Sequence, residues 1–395
     1  MAKPMQILWY INPNDGPFPW SPEGQLTPDL MRSRRLAQRL DQLGYYGVLV
    51  VGRNPLVETA SWIPITEQLR FLIPVYPGAT QPAMMVQQAK LFDSISNGRL
   101  LINQVNGTDQ ILTQYGIDVP SNLRYEMSAE YWTIFKKLYA GELGAFEGKY
   151  FKLGPPPPVR SAPAAGGIYV QDPHTPVWGS GQSPDGITHA GKVLDTYLTY
   201  IYRPDRLGAQ IDAARQGAAA HGRTLRAGTL ANIIVRKTEQ EAWEHAGWVL
   251  EKTGARQIVR QIEARLRTGR FNVASNSREV AEFDSLASED PKIQARIDAL
   301  RSGKLPDVRA LESYPNIWSG PNSWGALDIL DQGWGGYLVG SAENVAARMR
   351  ELQDKLGLDA FILAGWPATG EAERVAEILL PLLDLDRERP KLRPA

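Results

Sequence analysis

The sequence has no cysteine, and that absence removes disulfide staples, cysteine-ligated zinc and thiolate nucleophiles from consideration together. Charge of one sign is missing too: 43 lysines and arginines balance 43 acids, so no net field draws the chain to nucleic acid or to a membrane surface. Histidine is scarce. The four that exist (His174, His189, His221, His245) show no H-x-H or H-x-x-x-H spacing, so a histidine-built metal site would need distant partners, and no metal is expected. No apolar run approaches the length of a membrane span. Residues 1–11 carry one lysine and a short apolar run that reads as a first strand, so no signal peptide is expected and the cytoplasm is the default location. The patterns G-x-S-x-G, G-x-x-x-x-G-K-[ST] and G-x-G-x-x-G after a strand are absent, which counts against serine hydrolases, phosphate-loop ATPases and dinucleotide folds.

What is present is the making of a large core. At 395 residues, 43% hydrophobic and 22% charged, the chain has the composition of a soluble globular protein, either one large α/β domain with insertions or two ordinary domains. Eleven tryptophans and fifteen tyrosines point to aromatic-lined pockets or interfaces. Apolar strand patterns recur at Met5 to Ile11, Gly47 to Val51, Leu69 to Tyr76, Arg99 to Val105, Thr175 to Gly179, Asp195 to Tyr200, Ala227 to Val235 and Asp359 to Ala364, separated by segments of helical spacing. Eight buried strands alternating with helices is the tally of a (β/α)8 barrel over residues 1–395, with a doubly wound open sheet as the alternative. Two insertions break the rhythm. Residues 141–174 combine the two-residue alternation of F-E-G-K-Y-F, expected as a β-ribbon, with a proline run; residues 252–336 are rich in charge and are expected as a partly mobile lid or subunit contact.

The stretch Asp93 to Asp109 stands out. A helix pattern stops near Ser94, Asn97-Gly98 supplies a turn that tolerates positive φ, and Arg99 to Val105 runs as a strand buried on both faces. Asn103 and Gln104 lie within it, and Asn106-Gly107-Thr108-Asp109 is a polar exit expected to cap the next helix. Carboxyl ends of parallel strands are where α/β enzymes place ligands, although an amide there also serves to satisfy a neighbouring backbone group. Ser180-Gly181-Gln182-Ser183 leaves strand five toward a helix, as either a phosphate-binding loop or an ordinary cap. Gly333-Trp334-Gly335-Gly336 reads as a hinge or an anion nest.

Taken in order, D-x-x-S-N-G-R-x-x-x-N-x-V-x-G, R-Y-E-x-S-A-E-Y, F-x-G-K, the small-residue loop after strand five, A-A-A-H-G-R, P-N-x-W-x-G, and L-V-G followed by V-A-A-R resemble the bacterial luciferase-like flavin monooxygenases, most of all their alkanesulfonate monooxygenase branch. The resemblance runs from Gly44 to the C-terminus. It implies a (β/α)8 barrel that takes reduced FMN as co-substrate from a separate NAD(P)H-dependent FMN reductase and uses O2 to oxygenate a small molecule. It also implies a homodimer or homotetramer. Carried over by motif, Asn103 and Asn106 meet the flavin ring region, Tyr125 the phosphate side, Gly181, Gln182 and Ser183 the phosphate, and Tyr76 lines the ring. A histidine often precedes R-Y-E in the family; here Ser121 holds that place.

The departures concern the substrate. Where the alkanesulfonate branch has a tryptophan ending strand six, an arginine and a histidine in strand seven, a tyrosine after strand eight and an insertion arginine, this chain has Tyr200, Leu230, Asn232, Trp366 and Gln332. A buried sulfonate without its guanidinium partners forgoes charge-assisted hydrogen bonds worth about 1.5 to 3 kcal/mol each. Arg53, Arg203 or Arg236 are candidates to compensate; the simpler expectation is a different, uncharged organosulfur or related compound. Asn232 and Tyr200 are expected to polarise or orient it, with Trp366, Tyr202 and Trp334 completing an aromatic pocket and Gln332 on the lid, while packing beneath the lid is the alternative for Trp366. Two other functions stay open: a deazaflavin (F420)-dependent oxidoreductase, and a non-catalytic flavin- or ligand-binding barrel.

Overall fold

A computed structural model describes residues 3–395 except 53, 143, 156–168, 268–281, 323–326 and 334. Arg53, Trp334, most of the proline run and residues 275–279 therefore lie outside the described residues. The architecture is a closed barrel of eight parallel strands with helices between them: β1 (Gln6–Ile11), β2 (Gly47–Val50), β3 (Arg70–Val75), β4 (Leu100–Gln104), β5 (Val177–Ser180), β6 (Thr196–Tyr200), β7 (Arg226–Arg236) and β8 (Leu358–Ala364). All eight expected strands are present, and the open-sheet alternative falls. No helix among the described residues is long and apolar enough to cross a membrane.

Packing divides the chain into two compact units. One comprises Ala37–Thr199, Ala209–Gly228 and Asp386–Ala395. It holds β2 to β5 and most of β6, in the parallel registers Gly47↔Arg70, Phe71↔Leu100, Ile102↔Val177 and Trp178↔Thr196. The α3 helix (Pro82–Ser96) starts with proline in its first turn, where the missing N–H costs nothing, and ends on Asn97 at φ 57° and Gly98 at φ 75°. That left-handed pair delivers Arg99 beneath the barrel strands, where its guanidinium donates to Thr66 Oγ1 at 2.7 Å, Ile63 O at 3.1 Å and Ser96 O at 2.7 Å. The α5 helix (Arg124–Ala140) carries the ribbon Phe146–Glu147 and Lys152–Leu153: Glu130 accepts the N–H groups of Lys149, Tyr150 and Phe151 at 2.8 to 3.0 Å.

The other unit comprises Met1–Leu36, Tyr200–Gly208 and Thr229–Leu385. Here β1 and β8 pair in parallel from Gln6↔Ala360 to Trp9↔Leu363, and β7 pairs with the strand Tyr337–Ser341. The 252–336 insertion, expected as a lid or subunit contact, is tied into the core of this unit in its described part. Its described part has helices Ala255–Arg267 and Pro291–Arg301, whose apolar stripes (Ile258, Ile262, Leu266; Ile297, Leu300) pack in one core with Trp20, Phe283, Trp318 and Trp366. Spacing of three and four residues hides such stripes within a mostly charged sequence. The P-N-x-W motif is structural: Asn316, at φ 63°, donates to Val339 O at 2.9 Å, and the buried Trp318 donates to Val308 O at 2.9 Å.

Candidate functional site

In the unit holding β2 to β5, the expected cofactor residues other than Tyr125 lie at the carboxyl ends of β3, β4 and β5, the end of a parallel barrel that carries its chemistry. At β5 the chain leaves through Gly181, Gln182 and Ser183 into the helix Pro184–Val193. Ser183 is its N-cap, with Oγ accepting Gly186 N–H at 3.1 Å, so the cap reading of this loop holds. The loop has a second property. The N–H groups of Gly181, Gln182 and Ser183 make no hydrogen bond within the described residues, at a helix N-terminus where the dipole favours an anion.

Tyr125, in the first turn of α5, reaches this loop. A Cβ on Gly186 would sit 2.7 Å from the Tyr125 hydroxyl, and one on Gly181 would sit 3.0 Å from that hydroxyl and 2.7 Å from Gly186 Cα. Glycine at both positions is what lets the hydroxyl, the loop and the helix start meet. Behind them Tyr197 donates its hydroxyl to Gly181 O at 2.8 Å. The imidazole of His189 lies 5.3 Å from the Tyr125 ring, and its Nε2 is 2.9 Å from Ser128 Oγ. Burial, with a smaller contribution from Lys192, pushes His189 down to about 3, so it is neutral at physiological pH.

At β4, Gln104 donates to Asn106 Oδ1 at 2.6 Å, which leaves Gln104 Oε1 and Asn106 Nδ2 buried with no hydrogen-bond partner among the described residues. An unpaired acceptor and an unpaired donor at a strand's carboxyl end are the signature of a polar ligand's edge. Asn103 is half-buried in the same strand, opposite Pro74 of β3 and Trp178 of β5. Tyr76 follows β3 rather than ending it, and stacks on Tyr115 with centroids 5.6 Å apart. Of the exit Asn106-Gly107-Thr108-Asp109, expected to cap the next helix, Thr108 occupies the N-cap position, and its side chain makes no capping bond. Phosphate-loop amides, a hydroxyl and unpaired amide groups suit a flavin nucleotide, and the residues fit that group.

The substrate-side candidates belong to the other unit. Asn232 is fully buried in β7; its Nδ2 donates to Gly336 O at 3.1 Å and its Oδ1 has no partner among the described residues. Tyr202 donates its hydroxyl to Asp331 O, and Gly333, held at φ 84°, packs on the Tyr202 ring. Asp328 gathers the N–H groups of Gln332 at 2.9 Å and Gly333 at 2.6 Å, so the loop bearing Gln332 is pinned to the barrel residue Tyr202. Trp366 donates its indole N–H to Asp15 at 2.9 Å and packs edge-on against Trp20. Tyr200 is half-buried at the end of β6. Two suggested compensating arginines are corrected: Arg236 is committed to Glu371 at 2.9 and 3.1 Å, and Arg203 to Asp205 at 3.1 Å on the surface. Sequence reasoning missed His189, Tyr197, Gly186 and Asp15. Only Gly186 had a local signal, two residues past the proline that starts its helix. No group of three or more His, Asp or Glu among the described residues could hold a metal ion.

The sequence model described as luciferase-like monooxygenase matches residues 5–359. Among solved structures, the chain resembles a long-chain alkane monooxygenase (LadA) with a TM-score of 0.72, at 17% identity over 99% of this chain and 95% of that one. It resembles a riboflavin lyase (RcaE), solved with modified FMN and riboflavin, with a TM-score of 0.70 at 17% identity over 98% and 94%. A coenzyme F420-dependent tetrahydromethanopterin reductase from Methanopyrus kandleri matches with a TM-score of 0.60 at 15% identity over 96% and 100%. At these identities what is shared is the fold.

Proposed function

This chain belongs to the luciferase-like monooxygenase family, and from that premise we propose that it is the oxygenase of a two-component system. In this reading a separate NAD(P)H-dependent reductase delivers reduced FMN, and O2 oxygenates a small organosulfur or related organic compound. The observation that carries it is the meeting of the Tyr125 hydroxyl with the Gly181–Gly186 contact and the open N–H groups of residues 181–183. A dianionic phosphate is held there by backbone donors, a phenol and a helix dipole, with no cation required. Asn106 Nδ2 and Gln104 Oε1 offer the ring system one donor and one acceptor, and Asn103 and Tyr76 flank them. The flavin, once reduced, supplies the electrons that activate O2. On the substrate side Asn232 Oδ1 is an acceptor for a substrate donor, Tyr200, Tyr202 and Trp366 supply aromatic surface, and the loop bearing Gln332 packs on Tyr202.

The test is turnover with NADH, an FMN reductase and O2 against sulfones, sulfonates and uncharged analogues, following sulfite and oxygenated products by mass spectrometry. Product from uncharged compounds supports the reading. Sulfite release from simple alkanesulfonates would show that the lost arginines are dispensable. Tight binding of reduced FMN with no product from any compound would make the chain a flavin-binding barrel without this activity.

A further inference from the structure

A cavity of about 150 Å³ opens at the carboxyl ends of β1 and β8, lined by Tyr10, Asp15, Arg32, Leu36, Trp366 and Thr369 among others. One carboxylate oxygen of Asp15 accepts the Trp366 indole N–H at 2.9 Å; the other takes no bond from the described residues. The indole is braced by Trp20, ring centroids 5.6 Å apart and planes at 80°. Arg32 is the one cation lining the cavity among the described residues. Its Nε lies 3.9 Å from Asp29 and its Nη2 donates to Thr27 O at 3.3 Å, its buried Nη1 has no hydrogen-bond partner among the described residues, and it forms no ion pair with Asp15. Tyr10 on β1 is the other titratable group lining the cavity; of the flanking elements, the helix Leu30–Gln42 also carries Arg34, Arg35, Arg39 and Asp41, and the helix Ala368–Ile378 carries Glu371, paired with Arg236 and Arg374, and Glu373 and Glu377.

Asp15 is thus a partly buried carboxylate with an indole donor but no counter-ion, in a wall of aromatic and aliphatic groups. A carboxylate in that setting is costly unless a cation joins it, and carboxylate plus aromatic faces is the chemistry that recognises an ammonium group. The position is where a parallel barrel keeps its chemistry, and the cavity holds a head group rather than a whole drug-sized molecule. We infer that this cavity is a subsite for the protonated amine of a small substrate, the ammonium resting between the open oxygen of Asp15 and the Trp366 ring. The inference rests on the reading of Trp366 as a substrate-side residue and names the substrate class: an amine-bearing compound. Burial pushes the Asp15 carboxyl up to about 6, against the pull of the Trp366 N–H, so the subsite carries its charge at pH 8 and loses it by pH 5.

The experiment is ligand-observed NMR on the full chain with n-propylammonium, 1-propanol and propionate, three probes of similar size and different charge. At pH 8 propylammonium is expected to give at least a fivefold stronger saturation-transfer signal than either of the others. Asp15→Asn, and separately a shift to pH 5, are expected to reduce it to the 1-propanol level. If Asp15→Asn fails to fold by circular dichroism, Trp366→Phe serves: it keeps a ring, removes the N–H donor, and moves the pH midpoint of binding upward. Equal signals from 1-propanol, preference for propionate, a wild-type response in Asp15→Asn, or an unmoved midpoint in Trp366→Phe each overturn the inference. A parallel titration of the wild type with reduced FMN separates the two claims. Charge-selective binding without flavin binding sinks the flavin reading alone, and flavin binding without charge selectivity sinks the subsite alone.

Discussion

Tyr125 owes its position to residues on both sides of its ring. His189 and Ser128 set the ring from behind, and two glycines clear the space in front. Tyr125→Phe and Ser183→Ala are expected to weaken reduced-FMN binding by about five- to twentyfold each, the loss of one hydrogen bond to a charged group and of one helix cap. Gly186→Ala places a methyl 2.7 Å from the Tyr125 oxygen and is expected to weaken it at least as much. Equilibrium titration under anaerobic conditions reads all three, and wild-type affinity in Tyr125→Phe and Ser183→Ala together would remove the phosphate assignment. Asp15 gives a residue-scale prediction of another kind. Its carboxyl is raised from 3.8 to about 6, so the folded state holds the proton more tightly than the unfolded chain. The resulting stabilisation is full below pH 3.8 and is lost as pH rises through about 6, up to about 3 kcal/mol across that window. Asp15→Asn should therefore melt higher than the wild type at pH 8, with the advantage shrinking toward pH 4; a constant difference in melting temperature across that range contradicts the assignment. The motif residues Tyr125, Gly181 and Ser183 were legible in the sequence because each sits in a short pattern. His189 and Asp15 were not, because what makes them matter is burial and a partner 60 or more residues away: Ser128 is 61 residues from His189, and Trp366 is 351 from Asp15.

Elements were read well where one periodicity ruled them. The α3–β4 turn was legible down to its residues, since Asn97-Gly98 is among the few pairs that accept successive positive φ. What the turn is for was less visible. It sets Arg99 against three carbonyls and Thr66, and Asp93 at the end of α3 accepts from Gln171 at 2.9 Å, Thr175 at 2.9 Å and Tyr139 at 2.5 Å. Burial pushes the Asp93 carboxyl up while those bonds pull it down. Asp93→Ala leaves the Tyr139 and Thr175 hydroxyls without an acceptor and takes one of two from Gln171 Nε2, which keeps Leu100 O, and is expected to cost about 3 kcal/mol, read as an earlier denaturant midpoint with unchanged slope. A loss under about 1 kcal/mol would mean that the network contributes little. The helices of the insertion were not legible for a physical reason: helices that bury one stripe keep charge on the rest of their surface, and composition averages over both.

At the scale of the whole molecule, eight strands and their order were legible because parallel strands buried on both faces read as apolar runs of five to nine residues. Family membership was legible because several motifs recur in one order. The substrate was not, since it depends on side chains where this chain departs from the alkanesulfonate pattern, such as Asn232 within β7, Trp366 after β8 and Gln332 in the insertion. The central claim is that the barrel takes up reduced FMN through the Tyr125, Gly181 and Ser183 cradle. Anaerobic titration of the wild type with reduced FMN, oxidised FMN and reduced F420, followed by fluorescence, tests it most directly. The account predicts saturable one-to-one binding of reduced FMN, tighter than oxidised FMN and lost in a Tyr125→Phe/Ser183→Ala double variant that still folds. Preference for reduced F420, or reduced FMN binding unchanged in the double variant, would contradict it.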